Sequence, residues 1–149
     1  EANNISSAYL VRDKFSNSYV LESDLYLYNQ DLIRKYEYHS NFLGFKADRT
    51  DDWCLETKNG IITKEKVGGL DCYQMCGISY YDKETGKQME KDIKEVFMSP
   101  GGKERYWEQV MLDVRKNNYK IYLRECKKED IIEIDTFNEL KAIDKTYDV

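Results

Sequence analysis

The dipeptide Asn59-Gly60 constrains the fold more than any other pair of residues in the sequence. It separates two short segments, Leu55-Glu56-Thr57 and Ile61-Ile62-Thr63. Asparagine and glycine both tolerate the positive φ angles that a two-residue β-hairpin loop requires, so this arrangement predicts a hairpin. A second hairpin is predicted around Glu84-Thr85-Gly86, which is flanked by predicted strands at 78–81 and 87–97.

Segments with helical spacing flank the predicted strands. Leucine and tyrosine recur every three or four residues over 21–36, which favours a helix, although Leu25-Tyr26-Leu27-Tyr28 is apolar throughout and a strand is the alternative there. A helix is also predicted over 102–117. Alternation over 119–124 and an isoleucine-rich segment at 131–134 indicate further strands. Thr136 and Glu139 form a capping-box pattern before a last short helix. We therefore expect one α+β domain over residues 1–149, with a mixed or mainly antiparallel sheet and helices packed on one face.

The four cysteines bear on the cellular compartment. Their even number is compatible with two disulfides in any of three pairings, and Cys72 and Cys76 would then be bonded to Cys54 and Cys126. Exported proteins keep such bonds, and a chain beginning at Glu1 is typical of a protein from which a signal peptide has been removed. We therefore predict a secreted or cell-surface protein. Four buried free thiols are the alternative, and a zinc site that adds Cys126 or His39 to the other cysteines is a third interpretation, although the usual C-x2-C spacing is absent.

Charge and hydropathy exclude two classes of partner. The net charge is -5 and the isoelectric point is near 5.1, so a phosphate backbone would be repelled on average and nucleic acid is not an expected partner. The sequence also lacks the 18 or more consecutive apolar residues of a membrane helix. We therefore expect neither nucleic-acid binding nor a membrane span.

The sequence shows no catalytic constellation. His39 is the only histidine, which excludes two-histidine metal centres and leaves one candidate base for a Cys-His or Ser-His-Asp enzyme. Asp48, Asp51 and Asp52 match no complete calcium loop, so a solvated turn is favoured. Carboxylates such as Glu65 are abundant, but the sequence does not reveal which of them face each other. No cofactor, metal or catalytic residue is predicted.

Tyrosine is the best remaining indication of function. Tyrosine and tryptophan are favoured at protein interfaces because they combine a large rigid area with a polar end. The predicted partner-binding face consists of Tyr73, Tyr80, Tyr81, Tyr122 and Trp53. We therefore predict a non-catalytic module that binds another protein or, alternatively, a small apolar ligand. A small hydrolase or transferase with Cys-His chemistry and an intracellular inhibitor or immunity-type protein are the alternatives.

Overall fold

A four-stranded mixed sheet organises the chain, and the computed structural model describes residues 2–147. The four strands are β1 (Ser18–Leu21), β3 (Asn41–Lys58), β4 (Ile61–Tyr81) and β5 (Tyr122–Glu125). They lie in the order β1-β4-β3-β5, where β3 pairs antiparallel with β4 and parallel with β5. A mixed sheet combined with helices is therefore confirmed.

The long β3–β4 hairpin forms at the predicted position. Asn59 and Gly60 have φ angles of 54° and 75°, as a two-residue loop requires. The strands are irregular, because the pairing shifts between Thr50 and Trp53 and Cys54 lies opposite both Lys66 and Gln74. These bulges bend the strands of the hairpin and increase their twist.

A second, two-stranded sheet joins the two ends of the chain. Its strands are β2 (Leu25–Leu27) and β6 (Ile131–Glu133), paired antiparallel with Leu25 opposite Glu133. The helix favoured over 21–36 is therefore wrong, and the alternative of a strand beginning at Leu25 describes this region. Leu25 and Leu27 pack against the core while Tyr26 is exposed, which is the alternation of a strand and not the spacing of a helix.

The helix α2 (Lys83–Met98) replaces the predicted second hairpin. Asp82 caps it by accepting a hydrogen bond of 2.8 Å from the Thr85 amide. Gly86, which suggested a turn, lies inside the helix because the backbone of Ser16 approaches it closely. A Cβ at Gly86 would lie 2.4 Å from that backbone. Gly86 is therefore needed for the close packing of α2 against Ser16, and it does not mark a chain reversal.

The remaining helices are short. They are α1 (Ile5–Leu10) and α3 (Phe137–Ile143), and α3 carries the predicted capping box of Thr136 and Glu139. The predicted helix over 102–117 is instead a series of turns. One of these is a π-helical turn (Val110–Val114), in which the Arg115 amide donates to the Val110 carbonyl at 2.8 Å. Among residues 2–147, no helix has the length and apolar character needed to span a bilayer.

Apolar side chains cover the large sheet on both faces. Phe42 belongs to a core with α1, α2 and the π-helical turn, whereas its neighbour Leu43 belongs to a second cluster with Ile78 and Leu32. Adjacent strand residues point to opposite faces, so the two clusters lie on opposite sides. The β2–β6 sheet packs into the second cluster through Leu25, Leu27 and Ile131.

Candidate functional site

A cavity of about 800 Å³ lies where the two sheets, α1 and the segment at 106–108 meet. Its wall includes Glu22 and Asp24 between β1 and β2, Glu133 on β6, and Glu108 beside the π-helical turn. A volume of this size is typical of a small-molecule site. The acidic wall favours a ligand, or part of a ligand, that carries positive charge.

Three carboxylates converge because of the β2–β6 pairing. One oxygen from each of Glu22, Asp24 and Glu133 lies within 4.8 Å of the others. The Ile134 amide donates to the Asp24 carbonyl at 2.9 Å, and the Glu22 amide donates to the Gly77 carbonyl at 3.0 Å. Backbone pairing therefore holds the three side chains, named here the carboxylate cluster, at one point of the cavity.

Electrostatics in the carboxylate cluster are unfavourable without a cation. Burial, together with the nearby carboxylates of Glu108, Asp24 and Asp52, raises the pKa of Glu22 to about 7. Burial and neighbouring carboxylates, with Asp135 first among them, also raise the pKa of Glu133 to about 7. Oxygen ligands of this type are those that Mg²⁺ and Ca²⁺ prefer. The cluster therefore fits a hard divalent cation, which would relieve the mutual repulsion.

A fourth carboxylate, Asp52, is oriented by a small polar network at the bulge of β3. The Gln74 side-chain amide donates to Asp52 at 3.2 Å, and the Thr50 hydroxyl donates to Gln74 at 2.9 Å. The Asp52 backbone amide donates to Thr50 at 3.1 Å. Asp52 was predicted to lie in a solvated turn, and it is indeed exposed, but it also lines the cavity.

Aromatic rings form another part of the wall. Trp53 and Tyr106 meet edge to face, with ring centroids 5.3 Å apart. Trp107 also lines the cavity, and its backbone amide donates to the Asn4 side chain at 2.9 Å, which fixes this segment to the start of α1. Aromatic faces attract cations, so these rings reinforce the preference set by the carboxylates.

The structure does not bring the predicted tyrosine face together. Tyr81 is fully buried in the core, and Tyr73 is partly buried against it. Tyr80 packs against Tyr19, while Tyr122 stacks on His39 with ring centroids 4.5 Å apart. Of the five predicted residues, Trp53 lines the cavity and the four tyrosines do not.

The disulfide prediction is wrong, because Cys54, Cys72, Cys76 and Cys126 are all free and buried. They nevertheless form two close pairs. The Cys76 and Cys126 sulfurs are 3.4 Å apart, well beyond the bonded distance of about 2 Å. Cys54 and Cys72 both lie against Gly69. Burial and the contact with Cys72 raise the pKa of Cys54 to about 11, so this thiol stays protonated at neutral pH.

Sequence reasoning missed the residues that shape the cavity, namely Glu22, Asp24, Tyr106, Glu108 and Glu133. A local signal existed at Glu22-Ser23-Asp24, where two carboxylates directly follow the apolar pair Val20-Leu21. Interpreting this region as a helix concealed it. Glu133 could not be connected with them, because their proximity depends on a strand pairing between distant parts of the chain.

Two curated proteins resemble this chain over almost all of its length. The choline-phosphate cytidylyltransferase of Streptococcus pneumoniae is 26% identical over 148 residues, which cover 96% of this chain and 62% of that protein. The 2-aminoethylphosphonate cytidylyltransferase of Lancefieldella rimae is 26% identical over 155 residues, which cover 99% of this chain and 61% of that protein. The chain thus spans about three fifths of the length of these relatives.

A solved structure shows the same fold. The CTP:phosphocholine cytidylyltransferase from Streptococcus pneumoniae superposes with a TM-score of 0.83 at 24% identity, covering 97% of this chain and 64% of that protein. No protein-family model matches the sequence. The mixed sheet and helices of this chain therefore have the fold of that solved structure.

These similarities overturn the functional predictions. A non-catalytic, protein-binding module is wrong, because the relatives over nearly the whole chain are enzymes that transfer a cytidylyl group. The prediction of a secreted or cell-surface protein is wrong as well. It rested chiefly on two disulfides, whereas the structure has four free thiols and the similarity is to cytidylyltransferases.

Proposed function

We propose that this chain carries the acceptor-binding site of a cytidylyltransferase. The acceptor is a small phosphate or phosphonate with a cationic headgroup. The observation that carries the proposal is the cavity wall itself, which combines the carboxylate cluster, Asp52 and Glu108 with the ring pair of Trp53 and Tyr106. The acceptors named for the two relatives, choline phosphate and 2-aminoethylphosphonate, both combine a cation with a phosphorus acid group.

The reaction would join this acceptor to CTP. An acceptor oxygen attacks the α-phosphorus of CTP, the bond from that phosphorus to the oxygen bridging to the β-phosphate breaks, and pyrophosphate leaves. Both reactants are anionic, so charge neutralisation is the main requirement. A divalent cation held by Glu22, Asp24 and Glu133 would supply positive charge to the phosphate oxygens.

The chain's own residues would bind and orient the acceptor. Lys128 is the single basic side chain among the described residues that line the cavity, which suits it to contact the phosphate or phosphonate. Trp53 and Tyr106 present aromatic surface to the headgroup. Holding both ends of the acceptor in this way fixes the attacking oxygen, which reduces the entropic part of the barrier.

Isothermal titration calorimetry of the 149-residue protein in Mg²⁺ tests the proposal. We expect choline phosphate, 2-aminoethylphosphonate or both to bind with dissociation constants of roughly 1 μM to 1 mM, the usual range for enzyme substrates. Glucose 1-phosphate, which has a phosphate but no cation, should bind at least about tenfold more weakly. Equal binding of glucose 1-phosphate, or no binding of either cationic compound, would contradict the proposal.

A matched pair of variants localises the binding. Trp53→Ala removes a ring from the cavity wall and should weaken binding of the cationic acceptor about tenfold, since desolvated cation–π contacts are strong. Tyr38→Ala removes a ring that is 92% exposed and lies outside the cavity, so it should leave binding unchanged. Equal effects of the two substitutions would place the acceptor elsewhere.

A further inference from the structure

The Glu108 carboxylate is buried, lines the cavity and is incompletely paired. Its residue is 3% exposed, and its Oε2 atom has no hydrogen-bond partner among residues 2–147. The backbone holds it firmly, because its carbonyl accepts hydrogen bonds from the amides of Met111 and Leu112 at 3.1 and 3.0 Å. A buried acceptor without a donor is costly in free energy, so a cavity ligand that brings a donor would be favoured.

Two more buried polar groups lie near Glu108 without a donor. Both carboxylate oxygens of Glu65 on β4 and the hydroxyl of Tyr81 lack a hydrogen-bond partner in the described part of the chain. Glu65 interacts electrostatically with Glu108, and neither of them forms an ion pair within residues 2–147. Burial raises the pKa of both carboxyl groups. Glu65 and Tyr81 do not line the cavity themselves, so the protein behind Glu108 leaves buried polar atoms without partners within residues 2–147, and Glu108 is the one of the three that a cavity ligand can reach.

The aromatic surface is less complete than a quaternary ammonium group would require. The Trp107 ring is turned into the core, where it packs on Phe15 and Tyr81 with centroid distances of 5.5 and 6.0 Å. Phe15 and Phe45 also line the cavity, but Phe15 belongs to the same core as Trp107 and Phe45 packs against the second cluster. Trp53 and Tyr106 supply the remaining rings, which meet edge to face at 67°. Trimethylammonium groups are recognised by cages of several aromatic faces. Two rings beside a buried carboxylate suit a smaller cation better.

We infer that the acceptor's headgroup is a primary ammonium group, which donates a hydrogen bond to Glu108, and not a trimethylammonium group. This inference rests on the proposed function and narrows its substrate class. A primary ammonium group has three N–H donors, whereas a trimethylammonium group presents only methyl groups and would leave the Glu108 oxygen unpaired. The compounds named for the two relatives differ in this headgroup, and both relatives are 26% identical to the chain, so sequence identity favours neither headgroup. The choice between the two headgroups rests on the chemistry of the cavity.

Ethanolamine phosphate and choline phosphate test the inference, because they differ only in the methyl groups on nitrogen. In calorimetric titrations of the wild-type protein in Mg²⁺, ethanolamine phosphate should bind at least about tenfold more tightly, as expected for a charge-assisted hydrogen bond to a buried carboxylate. Tighter or equal binding of choline phosphate would overturn the inference and leave the proposed function standing. If neither of these compounds nor 2-aminoethylphosphonate binds, the proposed function itself is overturned.

Variants then assign the preference to Glu108. Glu108→Gln should weaken ethanolamine phosphate at least about tenfold and choline phosphate less than about threefold, so the ratio between the ligands collapses. Glu90→Gln removes the same charge from an exposed position on α2 and should preserve the ratio. An unchanged ratio in a folded Glu108→Gln protein would overturn the inference. If that variant does not fold, the comparison of ethanolamine phosphate with choline phosphate on the wild-type protein still tests the inference.

Discussion

The Glu22 carboxylate lies directly against the Cα of Gly77. A Cβ atom at position 77 would be 2.2 Å from Glu22 Oε2, and Gly77 has a φ of 62°. The absence of a side chain at Gly77 therefore provides the space that Glu22 needs to join the carboxylate cluster.

Gly77→Ala should impair both stability and ligand binding. Positive φ costs a residue with a Cβ about 1 to 2 kcal/mol, and the methyl group would displace Glu22 from Asp24 and Glu133. Gly60→Ala is a matched control, because Gly60 has a φ of 75° but nothing within 4 Å of the added Cβ. Thermal unfolding should show similar losses for both variants, whereas only Gly77→Ala should weaken acceptor binding. Unimpaired binding in Gly77→Ala would contradict this account.

The carboxylate cluster predicts stabilisation by divalent cations. Mg²⁺ at millimolar concentration should raise the melting temperature by a few degrees relative to EDTA, because the ion binds the folded state selectively. Asp24→Asn should abolish that increase by removing one of the three ligands. Asp48→Asn, a substitution at an exposed position outside the cavity, should retain it. Equal melting temperatures of the wild-type protein in Mg²⁺ and EDTA would contradict the cation site.

The raised pKa of the buried Glu65 predicts that the free energy of unfolding decreases as the pH rises. Burial, with Glu108 and Asp113 nearby, raises the pKa of Glu65 from 4.5 to about 8. Between these values the folded state keeps a proton that the unfolded state has lost, so the free energy of unfolding decreases with pH. Glu65→Gln should reduce this decrease between pH 5 and 8 by about 1 kcal/mol or more.

Urea denaturation at both pH values measures the effect. Glu90→Gln should follow the wild-type pH dependence, because Glu90 is exposed. Glu22 and Glu133, with pKa values of about 7, contribute in the same direction but are present in every one of these proteins. The same pH dependence in Glu65→Gln and wild type would show that Glu65 ionises normally.

Gly86→Ala should destabilise the protein although alanine is the better helix former. Propensity alone would favour the substitution by about 1 kcal/mol. The new Cβ would meet the Ser16 backbone at 2.4 Å, and backbone atoms cannot rotate away as a flexible side chain can. Lys87→Ala, at the adjacent exposed position, is the control and should change stability little. A higher melting temperature for Gly86→Ala would show that α2 and the segment at 15–16 separate easily.

Local patterns in the sequence were sufficient where the structure is determined locally. Asn59-Gly60 correctly predicted the hairpin loop, and Thr136 with Glu139 correctly predicted the start of α3. The same reasoning failed at Gly86, because a glycine needed for a turn and one needed for close packing look alike in a sequence. It failed over 21–36 because leucines and tyrosines are frequent enough there to match helical spacing by coincidence.

The candidate site is determined mainly by distant contacts. Glu22 and Glu133 are neighbours only through the pairing of β2 with β6, and Glu108 is close to Glu65 only because the π-helical turn packs on β4. Asp52 looked like part of a solvated turn because its orientation depends on Gln74, a residue of the next strand. The sequence contains these side chains but not the pairing register that brings them together.

The β2–β6 pairing also leads us to expect an order in which the parts of the fold form. Leu25 lies near the beginning of the chain and Glu133 near its end, and closing so long a loop is slow compared with forming the β3–β4 hairpin. The large sheet needs no residue beyond Glu125, so it can form before β6 arrives. Cation affinity would then be acquired last, and it would serve as a reporter of completed folding during synthesis or refolding.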